Sequence, residues 1–390
     1  MIYTGVEALD EMLGGGVPKG RSVFISLEPG VDGQGFMFSA LKSACAMGKR
    51  CLVIAPFTTR EAFLSDLAAT PYRLDAIDRL RFLDSSDYDE IDARAVDEDA
   101  WRSSFDARID RCCSEGGFDA VFIYCNRICD EIGTEETLKL FLSRCRGKKV
   151  NLFVEYLNLY DDDHLDDLIA AAPFDLSLSI GEGYGNLLFI NHFRIHHAAW
   201  TPLPSRQIPF VVRDDGSLSP QIPKIVVTGP VDAGKTTFIQ TASETWVSSD
   251  RLGMSGSPTT VAMDFGHPLV TCRGFEITLV GTPGQEHFGP IIAHLLTNAT
   301  GVIFVVDGRC PDDLGRARQI LNLVRAKSIP FVMAANKRDL PGMMSEDTIR
   351  RLLSLPPDAP VIPISALRRE DTMAVIDRLI RLITREPLSE

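Results

Sequence analysis

The sequence predicts an α/β protein of two domains, each with three α/β/α layers around a mainly parallel sheet. Three observations lead to this prediction. The chain of 390 residues is long enough for two or three domains. Apolar strand-like runs alternate with amphipathic helical stretches in both halves. In each half, a glycine-rich turn directly follows an early apolar run, at residues 27–36 and 229–236.

The strand-like runs recur along the whole chain. The first half has RSVFIS, RCLVIAP, AVFIYC and KVNLFVEYL, and the second has KIVVTG, FEITLVG, GVIFVVDG, PFVMAANK and VIPISA. Such runs between helical stretches are typical of parallel sheets covered by helices. Between the halves, residues 213–223 are rich in Asp, Gly, Ser and Pro, which predicts a hairpin turn followed by a linker. We therefore expect domains at residues 1–217 and 218–390.

Composition and charge narrow the range of functions. Apolar residues make up 45% of the chain and charged residues 24%, which is ordinary for a globular protein. The net charge is -13, and a nucleic-acid surface needs clustered Lys and Arg, so we expect no nucleic-acid partner. The N-terminus does not resemble a signal peptide, and no apolar run approaches the roughly 20 residues that span a bilayer. We therefore expect no membrane span and a cytoplasmic location.

The nine cysteines include no Cys-x-x-Cys pair. Cys125 and Cys129 are four residues apart, without a matching second pair. This pattern favours reduced thiols that pack as small apolar core residues, and it leaves a zinc site open as the alternative.

Residues 229–236, GPVDAGKT, fit the phosphate-binding pattern G-x-x-x-x-G-K-[ST] in full. They follow the strand-like KIVVT and precede the helix-like TTFIQTASETWV, which is the context of a P-loop. Backbone N–H groups of such a loop cradle phosphates. The Lys235 ammonium is expected to reach the β and γ oxygens, and the Thr236 hydroxyl to hold Mg²⁺. The nucleotide-binding residues predicted in this loop are Gly229, Asp232, Ala233, Gly234, Lys235, Thr236 and Thr237.

The base-binding residues favour guanine over adenine. NKRD at residues 336–339 follows the strand-like PFVMAA. A carboxylate there accepts hydrogen bonds from guanine N1–H and N2–H, a pair that adenine does not offer, and Asp339 occupies this place. The next strand-like run ends in SAL, where the Ala366 N–H is expected to donate to guanine O6. The predicted base-binding residues are Asn336, which supports the loop, Lys337, Asp339, Ser365, Ala366 and Leu367.

With these motifs in order, residues 223–386 resemble a small GTPase of the Ras superfamily. The segment TTVAMDFG resembles switch I of Rab-type members, which implies that the Thr260 hydroxyl binds Mg²⁺ and the γ-phosphate. The segment GTPGQEHF resembles switch II, which implies that the Gly284 N–H donates to the γ-phosphate and that Gln285 orients the attacking water. The implied catalytic residues are Gln285, Thr260 and Lys235, and the implied Mg²⁺ ligands are Thr236 and Thr260.

One departure from the family concerns the metal. The switch II Asp of the family, which helps to hold Mg²⁺ through water, is Gly281 here. A similar replacement occurs in prokaryotic small GTPases of the gliding-polarity (MglA-like) kind, which this sequence resembles more closely. The resemblance implies a signalling switch that binds GTP with Mg²⁺ and hydrolyses it slowly to GDP. It also implies protein regulators, either a GTPase-activating protein or an exchange factor, and effectors.

The first half, from TGVEALDEMLGGGVPKGRSVFISLEPG onward, resembles the entry to RecA-like domains of the KaiC family. The chemistry of that family is missing at three places. The glycine turn EPGVDGQGF has neither a Lys for the phosphates nor a hydroxyl for Mg²⁺. Pro56 and Phe57 stand where the family has paired glutamates, and Tyr124 and Cys125 stand where it has a metal-binding Asp. We therefore expect a catalytically dead RecA-like domain. The weaker alternative is that backbone amides of its glycine turn bind an anion.

The favoured hypothesis for the whole chain is a GTP-dependent switch whose first domain serves for docking or self-association. RecA-like domains tend to assemble side by side, so a homo-oligomer is plausible by analogy of fold. One alternative is a scaffold that holds GTP or GDP without hydrolysis, which Gln285 and Thr260 disfavour because a pure binder needs neither. The other is a translation- or ribosome-associated GTPase. The acidic charge disfavours it, as does Gln285, where translation factors usually have His.

Overall fold

The computed structural model describes residues 1–31, 33–75, 77–94, 97–114, 117–145, 147–160, 162–185, 188–203, 207–243, 251–252, 258–259, 270–282, 289–310 and 314–385. The chain forms two compact units, Met1–Pro220 and Gln221–Glu390. Both units are mixed α/β with mostly parallel strands, which confirms the predicted fold class. Within these described ranges, no helix has the length and apolarity needed to cross a membrane.

The first unit alternates strands and helices along most of its length. Its strands are β1 (Ser22–Leu27), β2 (Cys51–Ala55), β3 (Leu80–Asp84), β4 (Ala120–Tyr124), β5 (Asn151–Leu157), β6 (Leu176–Gly185), β7 (Leu188–Ala198) and β8 (Gln207–Val212), followed by β9 (Leu218–Thr228), which runs on into the second unit. Its helices are α1 (Glu7–Met12), α2 (Gln34–Ala46), α3 (Arg60–Ala68), α4 (Ser85–Arg94), α5 (Glu98–Ser114), α6 (Asn126–Ile132), α7 (Thr134–Cys145) and α8 (Asp162–Ala171).

The sheet of the first unit has the strand order β3-β2-β4-β5-β1-β6-β7-β8-β9. The strands from β3 to β6 are parallel, and those from β6 to β9 pair antiparallel. Strands β1, β2 and β4 are buried at every position because helices cover both faces. On one face, Val121 and Ile123 pack with helices α4 to α8, and on the other Phe38 and Phe63 lie against Tyr124.

The second unit is smaller and follows the same alternation. Its further strands are β10 (Arg251–Leu252), β11 (Pro258–Thr259), β12 (Val270–Cys272), β13 (Phe275–Gly281), β14 (Gly301–Asp307), β15 (Phe331–Asn336) and β16 (Val361–Pro363). Its helices are α9 (Lys235–Ala242), α10 (Gly289–Leu295), α11 (Leu314–Arg325), α12 (Glu346–Leu353) and α13 (Arg369–Arg385).

The main sheet of the second unit has the order β16-β15-β14-β9-β13-β12, parallel except for the β12–β13 pair. Phe304 of β14 and Met333 of β15 pack with α10, α11 and α12 on one face. On the opposite face, Leu379 and Ile383 of α13 lie against Gly301. Because these strands run in parallel, the residues that follow β9, β14 and β15 gather at one edge of the sheet.

Residues 213–223, predicted as a turn followed by a linker, form the turn but not the linker. Arg213 N–H donates to Ser217 O at 2.9 Å, which closes the expected hairpin turn after β8. The residues that follow are not a linker, because Leu218 begins β9 and Pro220 pairs with Phe210. The two prolines of the segment suggested a linker, yet a proline fits a strand wherever its missing N–H is not needed for the ladder.

Candidate nucleotide-binding site

The predicted phosphate loop joins β9 to α9. Gly229 has φ +147°, and a Cβ placed there would lie 1.9 Å from the Val305 carbonyl oxygen. Gly234 has φ +94°, and its Cβ would lie 2.2 Å from Asn336 Nδ2. Both positions therefore require glycine for conformation and for space. Asp232 also has a left-handed backbone, with φ +57°, so the loop turns tightly between its two glycines.

Lys235 lies inside this loop. Its side chain is buried, and its Nζ donates to the Pro230 carbonyl oxygen at 2.6 Å. Lys235 is the first residue of α9, and Thr236 and Thr237 follow it in the first turn. The preceding Gly234 offers no side-chain cap, so the N–H groups of this turn face the loop without one. This is the arrangement in which a helix N-terminus and an ammonium group favour an anion.

Asn336 connects the three segments of the predicted nucleotide site. It ends β15 and is buried. Its Nδ2 donates to the carbonyl oxygen of Ala233 in the phosphate loop at 2.8 Å. Its Oδ1 accepts from the N–H of Ala366 in the SAL segment, also at 2.8 Å. In this structure the Ala366 N–H donates to Asn336. Its expected donation to guanine O6 stays a prediction.

A cluster around Asp307 was not predicted from the sequence. Asp307 ends β14 beside β15, and its carboxylate contacts Lys337 Nζ at 2.8 Å and Arg309 Nη2 at 3.1 Å. Burial alone would raise the pKa of Asp307, but hydrogen bonds from Arg309 and Lys337 outweigh it and lower the pKa to about 2. The carboxylate thus fixes Lys337, whose backbone has φ +70°. The sequence offered one signal for this cluster, which is that the strand-like run GVIFVVD ends in an acidic residue, Asp307.

Asp339 lies at the surface of the same edge, as expected for a group that meets a base. A hydrogen bond from the Ser365 hydroxyl lowers the pKa of Asp339. Ser365 is itself held by Asp371, whose Oδ2 accepts from the Ser365 N–H at 2.7 Å. Asp371 also pairs with Arg338 at 2.7 Å, so it joins the two base-binding segments. Asp371 was not predicted from the sequence. The predicted base-binding residue Leu367 projects outward, with 72% of its surface exposed.

The start of the predicted switch II pairs with β9, the strand that leads into the predicted phosphate loop. Gly281 ends β13 and pairs with Val227 of β9. The N–H of Thr282 donates to Val227 O at 3.0 Å, and its buried hydroxyl lies 2.8 Å from the hydroxyl of Thr228. The other predicted switch residues, Thr260, Gly284 and Gln285, lie outside the described residues.

In the first unit, the glycine turn after β1 is closed on itself. The Val31 N–H donates to Glu28 O at 3.4 Å, and the Gly33 N–H donates to Val31 O at 2.9 Å. These two amides therefore point into the turn rather than toward a ligand. Glu28 adds a carboxylate to the end of β1 and accepts from the Glu182 N–H at 3.1 Å. A negative charge here opposes a phosphate group, which disfavours the anion-binding alternative.

Aromatic rings occupy the adjoining strand ends, where the KaiC resemblance implied lost acidic residues. Tyr124 is buried and packs against Phe57, Phe63 and Phe38 at centroid distances of 5.4, 5.8 and 6.3 Å. Neighbouring Glu155 on β5 is buried too, and burial raises its pKa to about 8. Within the described part of the chain, Tyr124 Oη and Glu155 Oε2 have no hydrogen-bond partner. No group of three or more His, Cys, Asp or Glu among the described residues could hold a metal ion.

One family model and several curated proteins match part of this chain. Residues 216–383 match the model of the ADP-ribosylation factor family. Translation initiation factor IF-2 of Kosmotoga olearia is 30% identical over 182 residues, which cover 44% of this chain and 24% of that protein. The IF-2 of Campylobacter curvus is 31% identical over 131 residues, which cover 33% of this chain and 13% of that protein. The chain thus spans about a quarter or less of the length of these curated relatives.

One similar solved structure is a KaiC-like protein of Pyrococcus horikoshii. The match covers 56% of this chain and 97% of that protein, with 12% sequence identity and a TM-score of 0.44. At this TM-score the likeness is too loose to transfer any property of that protein.

Proposed function

Because residues 216–383 match a family of Ras-like small GTPases, we propose that this chain is a molecular switch that binds GTP and slowly hydrolyses it to GDP. The observation that best supports the proposal is the position of Asn336, which bonds both the phosphate loop and the SAL segment. Through these two bonds Asn336 would hold the proposed base-binding and phosphate-binding segments at a fixed spacing, which a nucleotide requires. A match of sequence motifs alone would not have guaranteed that spacing.

Selectivity for guanine is assigned to Asp339. Its lowered pKa keeps the carboxylate ionised at neutral pH, so it can only accept hydrogen bonds. Guanine offers two donors on one edge, N1–H and N2–H, whereas adenine presents an acceptor at N1. Lys337, held by Asp307, lines the same pocket, and the Ser365–Asp371 pair orients the loop on its other side.

At the phosphate end, Lys235 and the N–H groups of the loop neutralise the β- and γ-phosphates. Lys235 would exchange its bond to Pro230 for phosphate oxygens, which accept more strongly because they are charged. Thr236 and Thr260 are the proposed Mg²⁺ ligands, and hydroxyl oxygens are hard donors that suit this ion. When bound, Mg²⁺ supplies positive charge that stabilises the phosphates.

Hydrolysis is assigned to Gln285, which orients water, with Thr260 and the Gly284 N–H at the γ-phosphate. Sites of this kind turn over at about 10⁻⁴ per second unaided, and an arginine finger adds roughly 10³ to 10⁵. We therefore expect protein regulators, and we expect effectors that distinguish the GTP-bound from the GDP-bound chain. Single-turnover hydrolysis compares the native chain with Gln285→Leu. Equal rates would favour the alternative of a scaffold that holds nucleotide without hydrolysing it.

For residues 1–217 we propose a RecA-like domain that no longer binds Mg-ATP and that serves for docking or self-association. Two observations support the loss of activity: the closed glycine turn beside Glu28, and the aromatic rings packed on Tyr124. Titration with ATP tests it, and a dissociation constant in the low micromolar range would contradict it. Sedimentation of the whole chain over a range of concentrations tests self-association.

A ribosome-associated role is the second candidate, since the matched relatives are named as translation initiation factors. Their match is confined to between 33% and 44% of this chain, which is the extent of a nucleotide-binding domain. The net charge of -13 opposes an RNA surface. Co-sedimentation with ribosomal subunits in the presence of a non-hydrolysable GTP analogue distinguishes the two candidates, and we expect no binding.

The decisive experiment identifies the nucleotide on the purified protein. The chain is denatured and the released nucleotide is separated and quantified. The proposal predicts one equivalent of guanine nucleotide and no adenine nucleotide. Adenine nucleotide at a comparable level, or a failure of the chain to bind GTP when it is added, would refute it.

A further inference from the structure

Two thiols of the first unit lie in contact with each other. Cys125 follows β4 and precedes α6, and Cys129 lies one helical turn further on, with its N–H donating to Cys125 O at 2.9 Å. Their Sγ atoms are 3.7 Å apart. We propose that Cys125 and Cys129 form a redox-active pair that hydrogen peroxide converts into an intramolecular disulfide. This inference is independent of nucleotide binding.

The backbone geometry permits the bond. Residues one turn apart on a helix have Cα atoms about 6 Å apart, within the roughly 4.4–6.8 Å that disulfides span. The two sulfur atoms are already in contact. Cβ atoms one turn apart on a helix lie about 5–6 Å from each other and a disulfide needs about 3.5–4.5 Å, so closing the bond also draws the backbone at the two cysteines together. Closing a five-residue loop is expected to stabilise the fold by about 2 kcal/mol at most, less than a longer loop gives.

The two thiols have different environments, which suits them to different steps. Cys129 is partly exposed. The side-chain hydrogen bond that Cys129 shares with Cys125 lowers the pKa of Cys129 against the effect of burial, and the Thr137 and Thr134 side chains lower it further. Cys125 is fully buried, and burial raises its pKa, so it stays a neutral thiol. Cys129 is thus the attacking thiolate and Cys125 the resolving thiol.

Of the carboxyl groups near the pair, one opposes the shift of its cysteine and the other adds to the shift. Asp130 on the same helix raises the pKa of Cys129, and Glu155 on β5 raises that of Cys125. Tyr156, on the opposite face of β5 from Glu155, lies close enough for both cysteines to affect its own pKa. The hydrogen bonds of Cys129 and the burial of Cys125 therefore decide which sulfur reacts.

The chemistry is balanced with peroxide as the oxidant. The Cys129 thiolate attacks one peroxide oxygen, the O–O bond breaks, and the products are a sulfenic acid and hydroxide. The Cys125 thiol then loses its proton and attacks the Cys129 sulfur, the S–O bond breaks, and the proton leaves with the hydroxyl group as water. Two electrons pass from the two thiols to one peroxide.

The crosslink would act on a contact between α6 and β5. Asn126, between the two cysteines, donates through Nδ2 to Leu157 O at 2.9 Å and accepts from the Leu157 N–H at 2.8 Å. A bond between Cys125 and Cys129 fixes the backbone that holds Asn126 in this contact. Oxidation is therefore expected to slow hydrogen exchange of the Leu157 amide.

Mass spectrometry of the whole folded chain tests the proposal. Reduced protein is treated with hydrogen peroxide, free thiols are blocked with N-ethylmaleimide, and the chain is digested with trypsin without reduction. Trypsin cleaves after Arg127, between the two cysteines, so the disulfide joins the peptide ending at Arg127 to the peptide beginning at Ile128. We expect this crosslink, removed by reduction, with Cys129 losing its reactivity several-fold faster than Cys272.

Matched variants complete the test. Cys125→Ala, which keeps a small apolar side chain, should abolish the crosslink and let Cys129 proceed to the sulfinic acid. Cys272→Ala, in the other unit, should leave the crosslink unchanged. The peptide ending at Arg127 also contains Cys112 and Cys113, so fragmentation must place the bond at Cys125. A bond to either of those residues, or as much crosslink in guanidinium as in the folded chain, would overturn the proposal.

Discussion

Asn336 Nδ2 lies 2.8 Å from the carbonyl oxygen of Ala233, although the two residues are 103 positions apart in the chain. This hydrogen bond ties the strand that ends at the proposed base pocket to the loop of the proposed phosphate pocket. The same side chain accepts from Ala366 at 2.8 Å. The nucleotide site therefore depends on one buried amide that uses both of its ends.

Asn336→Ala is expected to weaken guanine-nucleotide binding strongly. It removes two hydrogen bonds and leaves the Ala366 N–H and Ala233 carbonyl buried without these partners, at about 1–3 kcal/mol each. We expect a loss of affinity of roughly tenfold to a thousandfold, measured by titration with a fluorescent GDP analogue. Asn322→Ala, on the exposed face of α11, is the control and should bind as the native chain does. Unchanged affinity in Asn336→Ala would show that the bridge is not needed.

Gly234→Ala is expected to disrupt the phosphate loop. The new Cβ would lie 2.2 Å from Asn336 Nδ2, and the residue has φ +94°, which Ala adopts poorly. We expect loss of nucleotide binding in equilibrium dialysis with the second unit still folded by circular dichroism. Gly315→Ala is the matched control, because nothing lies within 4 Å of its Cβ. In helix α11 that change should stabilise by up to about 1 kcal/mol.

Asp339→Asn should change the base that is bound. The carboxylate accepts from two guanine donors, whereas an amide presents its own N–H group to one of them. We expect GTP affinity to fall roughly a hundredfold, from the loss of about 3 kcal/mol of charge-assisted bonding. Xanthosine triphosphate has an oxygen in place of the guanine amino group and should gain affinity. Competition binding measures both, with Asp358→Asn as the exposed control, and a variant that binds both bases as the native chain does would refute the role of Asp339.

Glu155 is expected to make the first unit less stable as pH rises. Burial raises its folded-state pKa from 4.5 to about 8, so between these values the folded state holds a proton that the unfolded state has lost. The free energy of unfolding should therefore fall across this interval and level off above it, by an amount on the order of 5 kcal/mol at most. Urea unfolding followed by Trp fluorescence measures it. Glu155→Gln should flatten the profile, whereas Glu131→Gln, at the surface, should leave it as it is.

Two tyrosines give a matched test of buried hydroxyls. Tyr124 Oη has no partner among the described residues, whereas Tyr88 Oη donates to Arg127 O at 2.9 Å. Tyr124→Phe should leave the free energy of unfolding unchanged or raise it by about 1 kcal/mol, because an unsatisfied buried polar group is removed. Tyr88→Phe should lower it by about 1 kcal/mol or more. The reverse order would show that Tyr124 has a partner, such as a bound water or ligand.

The fold and much of the candidate site could be predicted from local sequence patterns. The alternation of apolar runs with helical stretches predicts parallel sheets, and the residue types at positions 229–236 predict the phosphate loop between β9 and α9. The NKRD and SAL motifs predicted a supporting role for Asn336, and the structure adds that its side chain bonds Ala233 and Ala366. The roles of Thr260, Gly284 and Gln285 remain predictions of the same kind.

Other features depend on contacts between distant parts of the chain, which a local pattern does not encode. By itself, the sequence determined the class of fold and predicted the phosphate loop and the acidic residue proposed for guanine, because each follows from residue types at short spacings. Only the tertiary structure decided that Asp307 holds Lys337, that Asp371 holds Ser365, and that aromatic rings pack on Tyr124. These contacts form because the carboxyl ends of parallel strands meet at one edge of a sheet. A charge that is buried there is stable only when a neighbouring group pairs with it, and a ring when other side chains pack on it.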